Sequence, residues 1–400
     1  MQHPRVEWPL LVAMTADLLG FGMLIAVFQL RAESLMPAGW PSGPIIGALL
    51  ASTFILQILL SPRWGRWSDA IGRKPIILAC QLLSAAAMMV YGLADSLGWL
   101  VVSRILSGLG AANVAVSFAA VADAYPAESR EGPIGRLSAA VSTGLVAGPL
   151  LGGLLLTPSV VPKNAQHFAV GMVAGGASLL GAVVIAAFLP SARPTEAREP
   201  GSKRMLLDFG LLRDTPGVRV YALVATVAWM ALATLEGTFA RLICRLYQYC
   251  DGQFGVLFGF ESLLGVLVPA FLLLPITARF AKVRVLKTSY AMMGVGLALN
   301  PFGALLAVPA MVPLAIASAL YGLGSSLANP ILNGIVSEAT PDNRQGELFG
   351  LLQGTRSLGF ILGPILGGAL FDAHPAAPYV LAGAICLVAA VIVPDSAARG

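Results

Sequence analysis

The chain has 400 residues, 57% of them apolar and only 11% charged, and its mean hydropathy is +0.81. Soluble domains carry about 25% charged residues, so an ordinary soluble protein is excluded; glycine without a three-residue period excludes collagen, and four cysteines (Cys80, Cys244, Cys250 and Cys386) are too few for a disulfide scaffold. The net charge of +5 reads as membrane topology rather than a nucleic-acid signal, because no soluble face is long enough to present a basic patch.

Apolar runs of about twenty residues, the length a helix needs to cross the hydrocarbon, recur along the chain, whereas barrel strands would alternate over about ten. They predict spans at 9–30, 44–61, 75–94, 98–122, 134–157, 167–189, 218–240, 255–277, 286–307, 310–336, 349–371 and 377–394. The expected fold is an all-α membrane protein of twelve transmembrane helices in two pseudo-symmetric six-helix bundles. The first run is too long for a signal-peptide core and carries Asp17, so no cleavable signal is expected. Residues 190–217, with Pro190, Pro194, Pro200 and Pro216, read as a cytoplasmic linker between an N-terminal bundle, 1–189, and a C-terminal bundle, 218–400.

With both termini inside, 19 of the 25 basic residues fall in cytoplasmic segments; Arg31, Lys163, Arg241 and Arg245 lie outside, and Arg104 and Arg356 lie within spans. That bias sets the orientation. The halves also repeat. Gly144, Gly148, Pro149, Gly152 and Gly153 recur as Gly359, Gly363, Pro364, Gly367 and Gly368 at an offset of 215, and Gly108-Leu-Gly110 recurs as Gly322-Leu-Gly324 at 214. Glycines at i, i+4 and i+8 share one helix face and admit a close backbone. Either they only pack helices, or they line a seam where the halves rock.

Residues Gly65-Arg66-Trp67-Ser68-Asp69-Ala70-Ile71-Gly72-Arg73-Lys74-Pro75 closely resemble the signature loop of the major facilitator superfamily. The Gly-Pro-Gly-Gly run of span five and Asp17-Leu-Leu-Gly20-Phe-Gly22 of span one resemble proton-coupled exporters of the tetracycline and multidrug efflux group, and Arg104 to Ala112 supports the same family. The resemblance covers essentially the whole chain. Two departures stand out: Ala26 occupies a position where those exporters usually have proline, and the mirrored segment from Pro275 to Val285 keeps its basic residues but lacks the acid and turn glycine. Such a group likeness implies scaffold and coupling better than cargo.

The signature has its own physical sense. Gly72 permits a tight reversal, Asp69 suits a helix N-terminus, and Arg73 can reach a carboxylate on a neighbouring helix, with Asp123 as the expected partner. Together with Gly65, Lys74 and Arg130 they form a candidate cytoplasmic gate; Glu128 and Arg136 either join it or are solvated. The alternative is that Arg73 and Lys74 only set topology.

An ionised carboxylate inside a span costs several kcal/mol, so it either exchanges protons or pairs permanently with a base. Asp17 is the first candidate for proton coupling, with Glu261 second; Arg104 either holds such a carboxylate charged or contacts substrate. Candidate cavity residues are Asn113, Gln57, Gln353, Arg356 and Glu236, the last near an outer end where Arg241 or water could satisfy it. Gln81, Asn300, Asn329 and Asn333 either join that cavity or hydrogen-bond between helices. Trp229, Phe239, Phe258, Phe260 and Phe271 either wall the cavity or face lipid. Cys244 and Cys250 read as free thiols rather than a disulfide.

No metal-ligand cluster and no phosphate-binding Gly-x-x-x-x-Gly-Lys-Ser/Thr loop occurs, so no cofactor is expected and a proton gradient is the expected energy source. One proton crossing 100 mV supplies about 2.3 kcal/mol, equivalent to roughly 50-fold accumulation of a neutral solute. The reading is a monomeric secondary transporter, not an enzyme, in a bacterial-type inner membrane. It exchanges an amphipathic or cationic small molecule for protons by alternating access, with lipid and no nucleic acid as partners. A symporter or uniporter for a lipid, sugar or organic acid is the alternative, and a non-transporting receptor or scaffold is an alternative of another class.

Overall fold

A computed structural model of the chain describes residues 3–126, 129–191, 216–250, 253–305, 308–340 and 344–394. Every regular element among them is helical. The first seven are α1 (His3–Ser34), α2 (Ser42–Ile71), α3 (Arg73–Leu93), α4 (Leu97–Gly110), α5 (Asn113–Ala124), α6 (Glu131–Leu155) and α7 (Gln166–Phe188). The others are α8 (Pro216–Tyr247), α9 (Gln253–Leu267), α10 (Leu273–Arg279), α11 (Lys282–Leu299), α12 (Met311–Glu338), α13 (Gln345–Ala373) and α14 (Ala377–Ile392). Most of the expected linker, 192–215, lies outside the described residues, as does Glu128.

Each of the twelve expected spans falls mainly on helix among the described residues; the ninth, 286–307, leaves its α-helix at Leu299, and residues 306–307 lie outside those described. Among the described residues, ten stretches are long and apolar enough to cross a membrane, α4 with α5 and α9 with α10 counting as one each. The other two are α14, which is shorter at 16 residues, and α11, which opens with Lys282, Arg284 and Lys287. Two spans are not straight. The fourth breaks at Ala111 and Ala112, where Gln57 Nε2 donates to the freed Ala111 carbonyl at 3.1 Å. The eighth widens into a π-helical turn over Val268–Leu272, where Pro269 has no N–H to give the ladder.

The contacts divide the chain into two compact units. Unit 1 holds Met1–Trp40, Ser52–Gly201 and Asp251–Gly259, and unit 2 holds Pro41–Ala51, Ser202–Cys250 and Phe260–Gly400. The core of unit 1 joins Leu10 and Met14 of α1 to Ile76, Ile77 and Cys80 of α3, Val116 and Val121 of α5, Leu137 of α6 and Ile185 of α7. In unit 2, Tyr290 is fully buried and donates to the Val224 carbonyl at 3.0 Å, tying α11 to α8.

Within unit 1, the glycine stripe of α6 lies against α1. A Cβ added to Gly148 would meet the Leu19 carbonyl oxygen at 2.6 Å and Gly22 Cα at 2.8 Å, and one on Gly144 would meet the Thr15 carbonyl oxygen at 2.6 Å. Within unit 2, the matching stripe of α13 lies against α8, with Gly363 meeting the Met230 carbonyl oxygen at 2.6 Å and Gly367 meeting Thr234 at 2.7 Å. The repeated glycines i, i+4 and i+8 therefore pack helices inside each unit. Other pairings repeat as well, Gly110 of α4 on α3 corresponding to Gly324 of α12 on α11.

Cys244 and Cys250 form a disulfide, with Cα atoms 4.4 Å apart, which overturns the expectation of free thiols. The chain turns back after α8 through Gln248 at φ 60°, and this brings the two cysteines together; Cys80 and Cys386 are free and buried.

Candidate functional site

Asp17 stands in the middle of α1 and is 6% exposed. Four helices converge on it. Asn113 Nδ2 of α5 donates to Asp17 Oδ2 at 2.8 Å, and Ser178 Oγ of α7 donates to Asp17 Oδ1 at 2.7 Å. The second Asn113 N–H goes to Gln81 Oε1 of α3. Gln81 Nε2 in turn holds the Ala13 carbonyl at 3.1 Å and the Ser178 carbonyl at 3.3 Å. No basic residue pairs with Asp17 among the described residues, so the permanent ion pair weighed as an alternative is absent there. The Ser178 hydroxyl has one proton and two acceptors in reach, since the Gln81 carbonyl oxygen lies at 3.2 Å. An ionised Asp17 takes that hydrogen bond. A protonated Asp17 donates to Ser178 Oγ while the hydroxyl turns to the Gln81 carbonyl. The site thus accommodates both protonation states without losing a partner.

Asn113, expected in a cavity, is 2% exposed and committed to Asp17 and Gln81. Gln57 is committed to the helix break. Arg104 is 3% exposed and meets no carboxylate among the described residues. Its guanidinium lies 4.5 Å from the Phe28 ring centroid, Nη2 reaches Ser103 Oγ at 3.4 Å, and Nε has no partner. Behind it Phe28 packs on Tyr91, whose hydroxyl is 2.9 Å from His167 Nδ1.

At one end of unit 1 the signature residues meet. The segment expected as a loop is mostly helix, with α2 running on to Ile71 and Gly72 alone interrupting. Gly72 has φ 102°, a conformation that favours glycine; a Cβ on Gly65 would meet nothing within 4 Å, so no close contact there requires a glycine. Arg73 Nη1 lies 2.6 Å from Asp69 Oδ1 and Nε 2.8 Å from Asp123 Oδ2, with Ser68 Oγ accepting at 2.7 Å. Arg130 does not join them; its Nε donates to the Tyr125 carbonyl at 2.7 Å. Arg136 pairs instead with Glu7, to which Tyr125 donates its hydroxyl at 2.8 Å. Lys74 makes no ion pair among the described residues. Because Asp69 and Asp123 are 65% and 42% exposed, Arg73→Gln should cost under about 1 kcal/mol of stability. Thermal unfolding in detergent checks this.

In unit 2 Glu261 is 8% exposed and its Oε1 has no partner. Glu236 is half-buried and lies mid-helix, because α8 runs on to Tyr247. Arg241, expected near it, is fully buried and pairs with Asp372 Oδ1 at 3.3 Å and Ser42 Oγ at 2.7 Å. Asp372 also accepts the Gly43 N–H, at the start of α2, at 2.7 Å. The sequence reading missed Asp372, Ser178 and Glu7, none of which carries a local motif. Removing one partner of a buried pair leaves the other uncompensated, so Asp372→Ala should lower stability by about 3 kcal/mol in the same unfolding measurement. Arg356 and Gln353 are exposed on α13, and Arg356 lies 4.9 Å from the Trp229 ring centroid and 5.8 Å from that of Phe360. Of the expected aromatic wall, Phe239 and Phe258 are buried in packing, Phe260 and Phe271 are exposed, and Trp229 is half-buried.

Helices throughout the described residues, ten stretches of them long and apolar enough to cross a membrane, with isolated polar groups inside, make a multi-pass membrane protein. The chain matches the Major Facilitator Superfamily over residues 10–269 and 247–396, and it belongs to that family, which makes it a transporter rather than an enzyme. It is 25% identical over 371 residues to multidrug resistance protein 1 of Bacillus subtilis, covering 91% of this chain and 89% of that one. It is 27% identical over 371 residues to the class C tetracycline resistance protein of Escherichia coli, covering 91% and 89%. The crystal structure of the human organic anion transporter MFSD10 superposes with a TM-score of 0.68 at 21% identity, covering 98% of this chain and all of that one, which is a likeness of fold.

Proposed function

We propose that this transporter exports an amphipathic small molecule in exchange for protons, by alternating access, with Asp17 as the group that takes up and releases the proton. The observation that carries this reading is a buried carboxylate held only by neutral donors, Asn113 and Ser178, beside a hydroxyl that can serve either protonation state. The names of the relatives, which are multidrug and tetracycline resistance proteins, favour drugs as cargo. The moving parts are residues 1–189 and 218–400, joined by 190–217, in a monomer in a bacterial-type inner membrane.

Both termini are placed in the cytoplasm, since most basic residues fall on that side. The Asp69–Arg73–Asp123 cluster then lies on the cytoplasmic side and acts as a latch. Glu261 is the second candidate for proton coupling, in unit 2, and Arg104 contributes by its charge in unit 1. The energy comes from the proton gradient, with no cofactor.

Everted membrane vesicles test the reading. Efflux should collapse with a proton uncoupler and with Asp17→Asn; unchanged efflux of every transported compound in Asp17→Asn would make the assignment wrong. A uniporter would ignore the uncoupler, and a symporter would move substrate in the same direction as the protons.

A further inference from the structure

Arg356 is the twelfth residue of α13, about 16 Å from one end of the helix and about 25 Å from the other at 1.5 Å per residue. Arg356 thus stands inside the helix, several residues past the start of its apolar stretch at Leu351. It does not lie on the lipid-type face. The exposed apolar stripe of α13 is Leu358, Leu362 and Leu366, and Leu362, midway along it, is about 120° around the helix from Arg356. Arg356 lies instead on the side that carries the glycine stripe toward α8. One turn beyond it, Gly359 brings the backbones together at Trp229; at Arg356 itself the guanidinium is exposed.

The contacts that hold this charge are two rings, Trp229 and Phe360, whose centroids are 6.0 Å apart. It makes no hydrogen bond or ion pair among the described residues. Glu236, two turns beyond Trp229 on α8, is near enough for its charge to be felt. A guanidinium held by its face against aromatic rings keeps its in-plane N–H donors free, and that fork matches a carboxylate or sulfonate. Gln353, exposed one turn away on the same helix, offers another donor.

We propose that Arg356, presented on Trp229 and Phe360, binds the anionic group of an aromatic substrate. The inference deepens the transporter reading above, since it chooses between the two cargo chemistries read from the sequence: an amphipath with an acidic group rather than a cation. Stacking on Trp229 supplies the apolar part of the recognition and the guanidinium fork supplies the charge selection.

The test is equilibrium binding to the purified full-length protein in detergent, followed by fluorescence anisotropy. The probes are fluorescein and a cationic rhodamine ester, which share one ring system and differ in charge. Fluorescein should bind more tightly than the rhodamine. Arg356→Gln should weaken fluorescein by about tenfold or more, the scale of a lost charge-assisted hydrogen-bond pair, and Arg356→Lys should recover part of the loss. Trp229→Leu should weaken both dyes. Size-exclusion and unfolding profiles of the variants guard against a folding defect. Equal fluorescein binding by wild type and Arg356→Gln, tighter binding of the rhodamine, or no fluorescein binding by wild type would overturn the proposal. None of these outcomes touches the proton-coupled reading, which is judged by flux and Asp17.

Discussion

Asp17→Asn is expected to reduce uphill export to simple equilibration. With one proton per cycle and 100 mV of driving force, wild-type protein can sustain a substrate gradient of roughly 50-fold; the asparagine variant should sustain a ratio of about 1. The variant should still fold, because an amide of nearly the same shape fits among Asn113, Gln81 and Ser178. Its carbonyl oxygen can accept from one of the two donors that now face the carboxylate. Exchange of labelled for unlabelled substrate across the membrane, which needs no net proton movement, should therefore persist. Loss of uphill transport together with retained exchange separates a coupling defect from a broken transporter. Loss of both would place Asp17 among the structural supports of unit 1.

Gly148→Leu should have the largest effect on stability. A Cβ there meets the Leu19 carbonyl oxygen at 2.6 Å and Gly22 Cα at 2.8 Å, both backbone atoms that cannot turn aside as a flexible side chain would. Helices α1 and α6 must separate, and α1 carries Asp17 two residues from Leu19. The expected loss is about 3 kcal/mol, the upper range for overpacking a tight interface. Gly176→Leu is the control, since a Cβ on Gly176 meets nothing within 4 Å. Thermal unfolding in detergent should show Gly148→Leu well below wild type and Gly176→Leu close to it; equal midpoints for both would contradict the packing account.

Span lengths were legible in the sequence because uninterrupted apolar runs must match the bilayer. The breaks inside spans were legible only in part. Pro269 marks the π-helical turn of the eighth span, but Ala111 and Ala112 give no sign that the fourth span bends, because that break is stabilised by Gln57, more than fifty residues away. The Arg73–Asp123 pair followed from a short motif with a fixed spacing. Glu7 and Arg136, separated by 129 positions, had no such signature, and Asp372 looked like an ordinary helix-end acid until Arg241 and Gly43 were placed beside it. The glycine stripes announced close packing, but their periodicity is silent about which helix approaches. Asp17 was singled out by the cost of its charge in a membrane. Ser178, the residue that lets it carry a proton at little structural cost, is a serine among small residues on α7 and had nothing to mark it.

The central claim is that Asp17 links substrate movement to proton movement, and proton flux tests it most directly. Purified protein is reconstituted into sealed vesicles containing a pH-sensitive dye, and a transported compound, with tetracycline tried first, is added outside without any imposed pH gradient. The account predicts that inward movement of the compound drives protons out and raises the internal pH, and that Asp17→Asn admits the compound with no pH change. A pH change of wild-type size in Asp17→Asn would contradict the account.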